Sequence, residues 1–325
     1  MDDDPDRDDE DPNPEISEPK PGKVSRMSRE VTEAHYLHER SGLEAVLRPP
    51  VKSPTALAWV PRKEELVVTT KEGELISVDP VLGTRVIAEG IGESAVLSLH
   101  DDRKRYLVMS RSRRWQVGTL KGDVIATGKH EFLGNMAGFF ADDYAVMLGD
   151  RGDGRRAMQI FKGEKRVTNL PLPPRVSATL SDKGALLLCR STHAGLEVLP
   201  MNHIRKGKRF QKGLEATIHR LRPSGPHILG FTTTGICLWG QQGGQPRSMR
   251  LPDLTAGDIS RNGEYLGLGT RNGAVALARI GNLEKRIRPD LVRAFNSPVT
   301  SVAFSQRGRW LATGAEGLRI WSWED

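Results

Sequence analysis

Apolar positions in this chain come in short runs separated by clusters of glycine, proline and charged residues, and the runs recur. The C-terminal stretch VTSVAFSQRGRWLATGAEGLRIWSW, Val299 to Trp323, reads as three strands rich in β-branched, apolar and aromatic residues. A turn from Gln306 to Gly308 separates the first two, and Glu316-Gly317 separates the next two. The same cadence returns upstream. SRNGEYLGLG sets Ser260, Gly263 and Leu266 where the last copy has Ser305, Gly308 and Leu311. SDKGALLLC supplies Ser181, Gly184 and Leu187, and RPSGPHILGF supplies Arg222, Gly225 and Ile228. VPRKEELVVTT from Val60, HDDRKRYLVMS from His100 and FADDYAVML from Phe140 repeat the pattern without the glycine.

Seven central strands are thus expected near Leu66, Leu107, Val146, Leu187, Leu229, Leu266 and Leu311. Their spacing, about 37 to 45 residues, is that of four-stranded propeller blades. Glycine recurs because a tight hairpin needs a residue at positive φ, which glycine adopts without a Cβ clash. The second hairpin repeats the device at Gly73, Gly195, Gly235, Gly273 and Gly317.

These residues resemble the WD-repeat β-propeller family. VTSVAFSQRGRWLATG followed by LRIWSW is similar to a family repeat with its final dipeptide changed, and ICLWG at Ile236 to Gly240 keeps the tryptophan. LISVDPVLGTRVI from Leu75 looks more like a blade of the quinoprotein type. The resemblance covers residues 43–325 and implies an all-β fold, a seven-bladed β-propeller of four-stranded antiparallel blades. No copy has the family's Gly-His opening or a Trp-Asp ending, so the buried hydrogen-bond tetrad of that family is expected to be absent, leaving apolar packing to hold each blade. The last copy stops at its third strand, while LEAVLR (Leu43 to Arg48) precedes the first copy. An N-terminal strand pairing into the C-terminal blade would close the ring and remove two sheet edges.

Charge divides the chain. Residues 1–18 hold ten acids against Arg7, a balance of −9, which leaves 47 bases and 31 acids, +16, on the other 307 residues. With five prolines and no aromatic residue, residues 1–25 read as a disordered acidic tail. Residues 26–42 read as a short helix or arm, from the spacing of Val31, Ala34, Tyr36 and Leu37. No apolar run is long enough for a membrane span, and two cysteines, Cys189 and Cys237, are too few for a disulfide framework. A cytoplasmic protein is expected, monomeric outside its complexes, without cofactor or metal.

Catalytic signatures do not emerge: there is no GxxxxGK[ST], GxSxG, HExxH or CxxC. The glycines of GLGTRNG (Gly267, Gly269, Gly273) fall on a strand and its hairpin, not before a helix that could present amides to a phosphate. The basic residues are more informative. In this strand order, turns between second and third strands share one face with the connections into each blade. Arg111, Arg113 and Arg114 lie there in the second blade, Arg151, Arg155 and Arg156 in the third, with Arg175 and Arg190 following. A guanidinium fork suits carboxylate and phosphate. A second basic run, IRKGKRFQKG from Ile204, is expected between the third and fourth strands of the fourth blade, near the opposite face or outer rim.

The leading expectation is a non-enzymatic scaffold or adaptor that docks one or more proteins on its faces. The alternative is a polyanion- or nucleic-acid-binding propeller that uses the arginine sector. A third is a propeller hydrolase, for which Glu93, Asn135, Glu215 and Asp253 lie near blade entrances without a common spacing.

Overall fold

Fully buried strands announce themselves as unbroken apolar runs, because both faces must meet protein. Leu66–Thr70 is such a run, and each of its five residues is buried. The computed structural model describes residues 38–39, 43–79, 82–131, 133–140, 144–150, 156–172, 176–180, 186–192, 195–200, 208–209, 218–224, 227–232, 235–240, 247–251, 253–282 and 288–323. All of them fall within one unit, Leu37–Asp325.

Among the described residues there are seven four-stranded antiparallel sheets. Blade 1 runs Pro54–Trp59, Leu66–Thr70, Leu75–Asp79 and Gly83–Ala88 from its first to its outer strand. Blade 2 comprises Ser94–Leu99, Arg105–Ser110, Arg114–Thr119 and Val124–Lys129; blade 3 comprises Leu133–Phe140, Tyr144–Asp150, Arg156–Lys162 and Lys165–Leu172. Blade 4 comprises Val176–Leu180, Leu186–Thr192, Gly195–Pro200 and Lys208–Arg209; blade 5 comprises Ile218–Ser224, His227–Thr232, Gly235–Gly240 and Arg247–Arg250. Blade 6 is Leu254–Ile259, Tyr265–Thr270, Ala274–Arg279 and Val292–Arg293. The first strand of each blade lies against that of the next, and the first strand of blade 7, Ser301–Phe304, lies back against Pro54–Trp59. The circuit closes.

Blade 7 takes its outer strand from the other end of the chain. Leu43–Leu47 pairs antiparallel with Leu318–Trp323, with Leu43 opposite Trp323 and Ala45 opposite Trp321. The expected closure by an N-terminal strand is therefore present. Just upstream, His38–Glu39 is extended and pairs in parallel with Arg288–Pro289. The remainder of the expected helix or arm, and the acidic tail, lie outside the described residues.

The core is a set of seams between adjacent blades, fed by alternation along each strand. Leu66 and Val68 pack toward blade 7 with Ala303, Ala312 and Ile320, while Val67 packs toward blade 2 with Leu97, Tyr106 and Val108. Blade 6 meets blade 7 through Tyr265, Val275, Val302, Phe304 and Leu311. There Gly267 and Gly269 have a packing role: a Cβ on Gly267 would stand 2.6 Å from Leu311 and one on Gly269 2.4 Å from Val299.

Packing does not act alone, contrary to the expectation that apolar strand faces by themselves hold each blade. Trp321 Nε1 donates to Thr313 Oγ1 at 2.8 Å in blade 7. In blade 2, Ser110 Oγ bonds Ser112 Oγ at 2.8 Å while the Ser110 carbonyl lies 3.1 Å from His130 Nε2. In blade 6, Thr270 Oγ1 is bonded to Asn272 Oδ1 and to the carbonyl of Ala274. In blades 1, 2 and 6 a short polar side chain ending the second strand, Thr70, Ser110 or Thr270, closes the following turn with its own hydrogen bonds. Blades are also stitched together, since Asp258 Oδ2 accepts from the amide of Phe304 at 2.9 Å and Thr300 Oγ1 donates to the carbonyl of Pro54 at 2.8 Å.

Candidate partner-binding face

In blades 1, 2 and 6 the turns between second and third strands share one hydrogen bond. Gly73 N–H donates to the carbonyl of Thr70 in blade 1, and Gly273 N–H to that of Thr270 in blade 6, both glycines at positive φ (+88° and +80°). In blade 2 the equivalent bond runs from Arg113 N–H to the Ser110 carbonyl, and Arg113 takes the left-handed conformation, φ +63°. An arginine thus stands where these sister blades use glycine, at a backbone cost of roughly 1–2 kcal/mol. Gly317 differs from expectation: it is not left-handed, and it bridges Lys52 instead.

The turn carrying Arg111, Arg113 and Arg114 is held firmly. Arg111 N–H donates to the Glu93 carbonyl at 2.8 Å, and its guanidinium pairs with the Glu93 carboxylate at 2.9 Å. The Arg113 carbonyl accepts from His130 N–H at 2.9 Å, and Arg114 N–H donates to Ser110 Oγ at 3.2 Å. All three arginines are exposed. Arg114 lies directly opposite Lys129 on the outer strand, a like-charge cross-strand pair of the kind that destabilises a sheet. Among the described residues no carboxylate comes within 4 Å of Arg113, Arg114 or Lys129. The arrangement is a firmly held turn in which Arg111 is paired with Glu93 while Arg113 and Arg114 face no carboxylate among the described residues.

Of the other arginines placed in this sector, Arg151, Arg155 and Arg175 lie outside the described residues. Arg156 opens the third strand of blade 3, opposite Asp150, and Arg190 sits within the second strand of blade 4, opposite Val176 and Glu197. Acids share the face, with Glu72, Glu89 and Glu131 all exposed. Glu316, in the corresponding turn of blade 7, grips the connection from blade 6. Burial opposes its ionisation, but the Ser297 hydroxyl and the amides of Asn296, Glu316 and Ser297 bring its pKa down to about 2.

Two of the four residues weighed for hydrolysis can be located in turns, and each is engaged structurally. Glu93 pairs with Arg111, and Asp253, at φ +68°, accepts from Arg271 N–H through its carbonyl at 2.8 Å. Asn135 lies in the first strand of blade 3, and Glu215 lies outside the described residues. The Cys237 thiol is buried, and desolvation pushes its pKa up to about 12, which suppresses thiolate chemistry. Among the described residues no helix is long and apolar enough to cross a membrane.

Sequence reasoning found Arg113 from its charge but missed its conformation. The signal was available: the second copy lacks the glycine that Gly73 and Gly273 supply in the same turn.

No protein-family model matches the chain, and no curated protein matches it in sequence. Solved structures do. The β-propeller domain of Cps50 (Swd1) from Myceliophteria thermophila superposes with a TM-score of 0.69 at 14% identity, over 87% of this chain and 100% of that one. The WD40 β-propeller domain of Doa1 superposes with a TM-score of 0.68, also at 14% identity, over 88% of this chain and 98% of that one. At such identity the likeness speaks to architecture, and the architecture is that of a divergent WD-repeat-like β-propeller.

Proposed function

We propose that the chain is a non-enzymatic scaffold, cytoplasmic and monomeric outside its complexes, that docks an acidic segment of a protein partner on the face bearing Arg111, Arg113 and Arg114. The observation that carries this reading is Arg113, an exposed arginine held at φ +63° where sister blades place glycine. Strain retained at an exposed, charged turn points to a use for the side chain. Propellers host many unrelated activities, so the reading rests on the site and not on the fold.

A protein partner suits this face better than a uniform polyanion. Glu72, Glu89 and Glu131 are interspersed with the arginines, and a surface of mixed sign selects a partner of complementary pattern. A closed ring gives the turns a stiff mounting, which limits the ordering cost on docking.

The test is affinity capture from native extract, with and without nuclease, using the wild type and an Arg111→Ala/Arg113→Gly/Arg114→Ala variant. A protein retained by the wild type through nuclease treatment and lost by the variant is the expected result. Identical capture by both would remove this face from the interface.

A further inference from the structure

The opposite face carries a second arginine cluster that sequence spacing does not reveal. Its members come from the turns between first and second strands of blades 6, 7 and 1. Gln306 Oε1 accepts from Arg261 Nη1 of blade 6 at 2.8 Å and from the backbone amide of Arg62 of blade 1 at 3.1 Å. Beside Gln306, the guanidiniums of Arg307 and Arg309 stand 4.0 and 3.9 Å from Glu64 Oε1. That oxygen is buried and makes no hydrogen bond. Four arginines therefore share three neighbouring turns with the carboxylates of Glu64, Glu65 and Glu264. Glu64 faces Arg307 and Arg309, Glu65 pairs with Lys63 at 3.6 Å, and Glu264 accepts from Asn262 Nδ2 at 2.6 Å. Among the described residues, neither Arg62 nor Arg261 has a carboxylate within 4 Å. The side chains of Arg307 and Arg309 are 60% and 70% exposed.

Backbone geometry again marks the place. Gly263 and Gly308 take positive φ in the turns of blades 6 and 7, +74° and +71°. In blade 1 the left-handed residue is Arg62, at φ +60°. In blade 2 it is Arg103, at +62°, in the position equivalent to Gly263 and Gly308.

We propose that this cluster, centred on Arg62, Arg261, Arg307 and Arg309, binds the phosphodiester backbone of duplex nucleic acid. Guanidinium forks match phosphate oxygens, and phosphate contacts need no pocket. The cluster lies open on rigid turns, which suits a polymer that touches several cations at once. Among the described residues no aromatic side chain is fully exposed beside it: Trp310 is half-buried and packs into the seam between blades 7 and 1. Stacking on single strands is thereby disfavoured relative to backbone contact with a duplex. Binding here is independent of the protein-docking reading, since it uses the other face.

The experiment measures binding of the full chain to a duplex oligonucleotide of arbitrary sequence across a salt series. An Arg62→Gly/Arg261→Gln/Arg307→Gln/Arg309→Gln variant is expected to bind at least tenfold more weakly at low salt. The slope of log K against log salt should fall by about 0.9 for each phosphate that is no longer neutralised. Glu64→Gln, which removes the carboxylate that faces Arg307 and Arg309, is expected to strengthen binding severalfold. Arg62→Gly alone should weaken binding while leaving the protein at least as heat-stable as the wild type, because the left-handed turn no longer carries a Cβ. The proposal is overturned if the wild type does not bind the duplex. It is also overturned if the four-residue variant binds unchanged, if Arg111→Ala/Arg113→Gly on the other face weakens binding equally, or if polyglutamate is bound in preference to the duplex.

Discussion

The indole Nε1 of Trp59 donates to the backbone carbonyl of Ala303 at 3.0 Å, across 244 residues of sequence. Trp59 ends the first strand of blade 1 and Ala303 sits in the first strand of blade 7, so this bond spans the seam where the ring closes. Both residues are buried, so water cannot replace the donor if it is removed.

Trp59→Phe keeps a ring in the seam and deletes the N–H. The Ala303 carbonyl then goes without this donor, at a cost of about 1–3 kcal/mol. Thermal unfolding should begin several degrees lower, and the melting temperature measured by circular dichroism checks it.

Removal of residues 1–50 takes away Leu43–Leu47 and strips the Leu318–Trp323 strand of its partner. An exposed edge of that kind invites intermolecular pairing. The shortened protein should aggregate and lose cooperative melting, whereas a chain beginning at residue 26 should melt as the full-length protein does. Light scattering and calorimetry on the two truncations separate the outcomes; equal behaviour would deny the closing strand its role.

Arg113→Gly should stabilise the fold by up to about 1 kcal/mol, the left-handed penalty offset in part by glycine's greater freedom when unfolded. Capture of the protein partner should weaken in the same variant. Opposite signs for stability and binding distinguish a functional arginine from a merely tolerated one.

Glu316 predicts an acid-sensitive clasp. Its folded pKa of about 2 lies below the ordinary 4.5, so its stabilising contribution is complete above about pH 4.5 and disappears as pH falls toward 2. Glu316→Gln should lower stability near neutrality and flatten the stability profile through that window. A denaturant titration at several pH values reads the difference between the two slopes.

Much of the fold was legible because its determinants are local. A four-stranded blade needs a buried second strand and tight hairpins, and both leave marks within about a dozen residues. Leu66, Leu107, Val146, Leu187, Leu229, Leu266 and Leu311 all fall in second strands. Gly263, Gly273 and Gly308 occupy the left-handed turn positions for which glycine was expected. The three arginines after Ser110 could likewise be placed at a turn from their neighbours alone.

Other features arise between residues far apart in the chain, and their energies depend on which blade stands beside which. The sequence contains Leu43 and Trp323 but not the ladder between them, although the incomplete last copy raised the expectation. It contains Gln306, yet only the assembled ring brings that side chain to Arg261 on one side and to the Arg62 amide on the other. The hydrogen bonds inside the blades were hidden because Thr313 with Trp321, Ser110 with His130 and Thr270 with Asn272 share no spacing. Repetition along the chain determined the blades; closure in space decided which charges face one another.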